Sequence, residues 1–89
     1  MNLNYNELKL QILRILSEGV SMPSEEVATR LAATGVRVEI HAVRMALMRY
    51  YRHGLLLRKE VNGLFSYSLS DRGSKRLEWL DANERPESP

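Results

Sequence analysis

An 89-residue chain with 44% apolar and 27% charged residues is long enough for one domain and too apolar to be disordered throughout. The absence of cysteine excludes disulfides, thiolate metal sites and a cysteine nucleophile, and it suits a reducing, cytoplasmic setting. The net charge of +2 is unevenly placed: Arg37, Arg44, Arg49, Arg52, Arg58 and Lys59 face only Glu39 within residues 37–59, while both flanking stretches are net negative. Such a basic centre is the footprint of a nucleic-acid partner or a plain solvated face.

No apolar run approaches the length that spans a membrane, and the N-terminus lacks the basic-then-apolar order of a signal peptide. The expectation is a soluble protein with no membrane partner.

In chain order, Asn4 with Glu7 forms a capping-box pattern that opens a helix running to Glu18, and Gly19 follows as its left-handed cap. Leu8, Ile12, Ile15 and Leu16 recur at helical spacing as its buried stripe, with Leu13 at the margin. Residues 21–26, Ser-Met-Pro-Ser-Glu-Glu, start a second helix, whose carboxylates complement the positive end of the helix dipole. Either serine can cap it. Val27, Ala28, Leu31 and Ala32 form its inner face.

A third helix, from about Val38–Glu39 to His53-Gly54, gathers Ile40, Val43, Leu47, Tyr50 and Tyr51 in one apolar arc. The opposite arc holds His41, Arg44, Met45, Met48, Arg49 and Arg52. The period then changes to two, and Asn62-Gly63 between apolar runs predicts a hairpin with a type I′ turn. Phe65, Tyr67 and Leu69 alternate with serines on its second strand. Ser70 caps a last helix from Asp71 to Ala82 that carries Leu77, Trp79 and Leu80. Residues 1–82 form the domain, and residues 83–89, with two prolines and no large apolar side chain, read as a disordered tail.

The fold class is mainly α with a small β-hairpin: a three-helix core, a two-stranded wing and a C-terminal helix, which is the winged helix-turn-helix architecture. Residues 43–56, Val-Arg-Met-Ala-Leu-Met-Arg-Tyr-Tyr-Arg-His-Gly-Leu-Leu, resemble the recognition helix and exit turn of the MarR, ArsR and PadR groups of transcription regulators. Residues 67–73, Tyr-Ser-Leu-Ser-Asp-Arg-Gly, resemble the end of the wing and the next helix start in the same groups. The turn over residues 32–37 is longer than the tight helix-turn-helix form.

The resemblance implies a transcriptional regulator that binds double-stranded DNA, with its third helix in the major groove and its wing on the backbone. His41 and Arg44 lie nearer the end of the helix that reaches bases; Arg49 and Arg52 lie further along, where backbone contact is favoured. Met45 and Met48 pack on thymine methyls or belong to a protein interface. Arg37, Arg58, Lys59 and Asn62 suit phosphate or groove contact, although charge on an edge strand also deters aggregation. The competing function is a protein–protein interaction module within a larger replication or transcription assembly.

Leu77 and Leu80 are expected to face the core, and together with Trp79 they are candidates for a homodimer interface. Trp79 alternatively folds back toward Tyr5. His41 and His53 have no carboxylate at ligand spacing, and neither a nucleophile elbow nor a phosphate-cradling glycine loop is present. The reading is therefore of a protein that is not an enzyme, with no metal, cofactor or small-molecule site.

Overall fold

The computed structural model describes residues 5–84, and side chains for residues 6–82. Its elements are α1 (Tyr5–Leu16), α2 (Ser24–Ala33), α3 (Ile40–Arg52), β1 (Leu56–Val61), β2 (Leu64–Leu69) and α4 (Asp71–Glu84). The expected Asn4 cap lies outside the described residues. α4 continues through Asn83 and Glu84, two residues into the segment expected as a tail, and the rest of that segment is also outside the described residues.

α1, α2 and α3 enclose the core with the base of the hairpin and α4. Ile12, Leu13 and Leu16 of α1, Val27 and Leu31 of α2, and Val43 and Leu47 of α3 are fully buried. Each such side chain contributes about 1.5–3 kcal/mol through removal from water. Leu13 is thus central rather than marginal, and Leu10 joins it. The reason is that α1 is gripped from several sides, by α2, by α4 and by β2, so its apolar surface is wider than a single stripe.

Three further residues depart from the periodic reading. Ala32 is exposed on α2, Ile40 is only half-buried at the start of α3, and Tyr51 lies 37% exposed on the flank of α3. Tyr50 and Ala46 complete the inner face of α3 instead.

The stretch before α2 is not helical. Met22 forms an isolated antiparallel bridge with Tyr67: the Met22 amide donates to the Tyr67 carbonyl at 3.0 Å, and the Tyr67 amide donates back at 2.9 Å. Pro23 accounts for this locally, because a residue before proline is pushed to extended backbone. Met22 is fully buried as a result. Neither serine caps α2 through its side chain; Pro23 occupies the cap position.

The hairpin follows the expected register, with Val61 opposite Leu64 and Asn62-Gly63 as the two-residue loop. Both loop residues have positive φ, 52° and 80°, as a type I′ turn requires. At its base the Ser70 amide donates to the Leu55 carbonyl at 3.0 Å. The Ser70 hydroxyl donates to the Gly54 carbonyl at 2.6 Å and accepts the Gly73 amide at 2.9 Å, so Ser70 is the cap of α4. A Cβ on Gly73 would stand 2.0 Å from the Leu55 carbonyl oxygen, and only glycine allows this approach.

Gly73→Ala forces backbone to shift at that junction. Overpacking of this kind costs about 1–3 kcal/mol. The variant is expected to melt several degrees below the parent by circular dichroism; an unchanged melting temperature would show that the junction has slack.

Candidate nucleic-acid interface

The inner face of α3 is closed by Val43, Ala46, Leu47 and Tyr50, which leaves the rest of the helix to solvent and to its flanks. His41, Met45 and Arg52 are exposed on the outer side, Met45 at 48%. Arg37 is exposed in the turn that leads into the helix. The remaining members of the expected basic face divide between two flanks.

On the flank toward α2 and the wing, the Arg44 guanidinium donates to the Glu25 carboxylate at 2.7 Å, with its Nε 3.4 Å from the Ser24 hydroxyl. Ser24 itself is buried and donates to Glu25 at 3.2 Å. Arg44 and Met48 line one side of a groove of 280 Å³, and Gly63, Leu64 and Phe65 of the hairpin line the other. On the opposite flank Arg49 is half-buried, its guanidinium 5.9 Å from the Tyr50 ring centroid, close to Lys9 of α1. Arg44 and Arg49 therefore do not share one face.

The wing differs from its sequence reading in a similar way. Arg58 lies between the rings of Tyr51 and Phe65, 4.1 Å from each centroid, and so bridges α3 and the hairpin. Each such contact contributes about 0.5–1 kcal/mol at an exposed site. Phe65, although on the same strand face as Tyr67, is 45% exposed beneath this stack. Lys59 and Asn62 remain exposed. The pairing places Leu57, Lys59 and Val61 on one outer face with Leu64 and Ser66, and Leu57, Val61 and Leu64 are 58%, 45% and 57% exposed. This outer surface is more apolar than basic. The signal was present in the sequence as apolar residues beside the turn, but strand alternation alone does not say which face is covered.

On α4, Leu80 is buried at 1% against the core. It is consequently removed from any interface with a second chain, because α4 packs on α1 through that side. Leu77 is partly buried against the same core, and Trp79 is 57% exposed with the Arg76 guanidinium 6.0 Å from its ring. Among the described residues no cluster of three or more His, Cys, Asp or Glu is placed to hold a metal, and no helix is long and apolar enough to cross a membrane.

No protein-family model and no curated protein matches the chain. Solved structures do. The chain superposes on the YusO protein of Bacillus subtilis with a TM-score of 0.71 at 25% identity, covering 83% of this chain and 51% of that one. A PadR family transcriptional regulator from Eggerthella lenta gives 0.73 at 22% identity, covering 85% and 76%. Bacillus subtilis PadR in complex with operator DNA gives 0.74 at 17% identity, covering 92% and 49%. The chain spans about half the length of the two Bacillus subtilis proteins. The fold is a winged helix-turn-helix, shared with PadR and MarR family transcription regulators.

The Arg44 pair offers a direct check on this geometry. The hydrogen bond from Arg44, helped by the backbone amide of Glu25 and by Ser24, holds the Glu25 carboxyl below the usual carboxylate range. The fold favours the carboxylate, so the pair stabilises above the pKa of an unfolded glutamate and loses that effect as the pH falls through the lowered folded value. A carboxyl NMR titration is expected to show a depressed Glu25 midpoint that rises into the ordinary range in Arg44→Ala. A midpoint indifferent to Arg44 would mean the pair does not form in solution.

Proposed function

We propose that this domain is a transcriptional regulator that binds double-stranded DNA, with α3 in the major groove and the hairpin over the adjacent backbone or minor groove. The observation that carries the reading is the outer side of α3, where His41, Met45 and Arg52 stand clear of a helix whose opposite face is fully buried. The PadR structure with operator DNA supports it at the level of fold. No catalytic role is assigned.

In this reading Arg44, held by Glu25 and Ser24, is presented toward base edges with part of its guanidinium still able to donate. Arg37, Arg52 and Lys59 neutralise phosphates. Met45, Met48 and Asn62 lie where they meet sugars, methyl groups or the minor groove. Arg58, 4.1 Å from two ring centroids, and Arg49, 5.9 Å from that of Tyr50, contribute mainly by setting the positions of α3 and the wing.

The apolar outer surface of the wing favours a second reading, a module that docks on protein through Leu57, Val61 and Leu64. Salt separates the two. Duplex binding measured by fluorescence anisotropy is expected to weaken steeply between low and moderate salt. Arg44→Ala is expected to lose about 1–3 kcal/mol and relax preference at one base pair, and Arg52→Ala to weaken all duplexes and reduce the salt slope by about 1. A parent protein with no salt-dependent duplex affinity would turn the assignment to the protein-docking module.

We further infer a homodimer paired through α4 about Trp79, which would set two third helices about one DNA turn, ~34 Å, apart. Sedimentation at micromolar concentration is expected to give twice the chain mass, reverting to the monomer in Trp79→Ala. A monomeric parent would end this part of the proposal.

A further inference from the structure

A second basic surface lies away from the wing, where the end of α3 meets the start of α4. Arg52 and His53 from the exit of α3, and Arg72 and Arg76 from the first turns of α4, line one shallow cavity of 340 Å³ above Leu55. Nothing local in the sequence joins these residues, since Arg52 and Arg76 are separated by the whole hairpin. The junction at Gly54 brings them together: the Arg72 side chain runs across Gly54, its Cδ 3.4 Å from where a Cβ would stand.

Among the described residues no ion pair offsets the charge in this cavity. The ion pairs among the described residues are Arg14–Asp81, Arg30–Glu18, Arg30–Glu26 and Arg44–Glu25, and none involves Arg52, Arg72 or Arg76. Among the described residues no carboxylate lines the cavity. The positive field reaches α1 as well. Lys9 is held below the ordinary lysine pKa first by its burial and then by repulsion from Arg76 and Arg49.

Like charges gathered without a counter-charge cost free energy that a bound anion removes. Three guanidinium groups supply planar forks of donors, and an imidazole adds another. One carboxylate has too few oxygens and too little charge to satisfy them, whereas a phosphate group has both. Leu55 is the single apolar lining residue and is itself buried, so the cavity has no platform for a large apolar ligand.

The geometry points to a phosphate-binding site formed by Arg52, His53, Arg72 and Arg76 at the α3–α4 junction. The phosphate belongs either to a nucleic-acid backbone or to a free phosphate ester, and the site stands independently of how α3 reads bases.

Inorganic pyrophosphate is the probe, titrated into the full chain at constant ionic strength and followed by amide NMR. Saturable shifts confined to residues 52–55 and 72–76 are expected, weakened about ten-fold or more in the double variant Arg72→Gln/Arg76→Gln. A thermal melt of that variant confirms that it folds. Shifts that never saturate, that spread over all basic surfaces, or that persist unchanged in the folded variant would overturn the site. A second arm identifies the source. Reduced duplex affinity and a shallower salt slope in the double variant assign the phosphate to DNA; duplex affinity equal to the parent's, with pyrophosphate binding lost, assigns it to a free ester. If the parent binds no duplex at all, the reading of α3 fails while the pyrophosphate result still decides the site.

Discussion

The approach of Gly73 to the Leu55 carbonyl is the constraint on which the rest of this domain depends. Three elements meet there: the exit of α3, the first residue before β1 and the first turn of α4. Ser70 locks them by donating twice, through its amide and its hydroxyl, to consecutive carbonyls at Leu55 and Gly54 while accepting from Gly73. Once that junction closes, α4 has one direction in which to run, and Leu80 falls onto α1. The hairpin likewise leaves the core at one angle, which the Met22–Tyr67 bridge fixes from the other side. Functional geometry here is inherited from backbone hydrogen bonds.

The cations sort into groups by what surrounds them. Arg14 ties α1 to α4, and Arg30 ties α2 to Glu18 in the turn after α1, through exposed ion pairs, each of which contributes little in water. Arg44 and Arg58 are held in place by neighbours, one by a carboxylate and one by aromatic rings. Among the described residues Arg52, Arg72 and Arg76 have no ion pair, and they line one cavity. The single basic block that the sequence shows is therefore several environments once folded, and net charge per segment says nothing about that division.

What the sequence discloses and what it hides follow from the range of the forces involved. The Asn62-Gly63 turn and the Ser70 cap are encoded locally, in residue types that suit one backbone conformation, and both are legible. The inner face of α3 is legible through Val43, Leu47 and Tyr50 because a 3.6-residue period needs no knowledge of the partner. Met22 is obscured because its burial depends on a bridge to Tyr67, far along the chain, whereas Ser-Met-Pro-Ser has the local pattern of a helix start. Tyr51 and Arg49 are illegible for a related reason. Both sit on helix flanks, where the neighbour decides between cover and exposure, and the neighbours are Arg58 for one and the Tyr50 ring for the other. Leu80 reads both as a core residue and as an interface candidate, and α1 beside it decides for the core.

The guanidinium of Arg58 held between Tyr51 and Phe65 has a mechanical consequence. It turns a helix and a ribbon joined at one end into the arms of a caliper whose opening is set where the guanidinium meets the Tyr51 ring, 4.1 Å from its centroid. Opening the arms separates the Arg58 guanidinium from Tyr51, while its contact with Phe65 stays within the ribbon, so this side-chain contact adds to the stiffness of the hinge. The stiffness of that opening is independent of the residues at the tips of the arms.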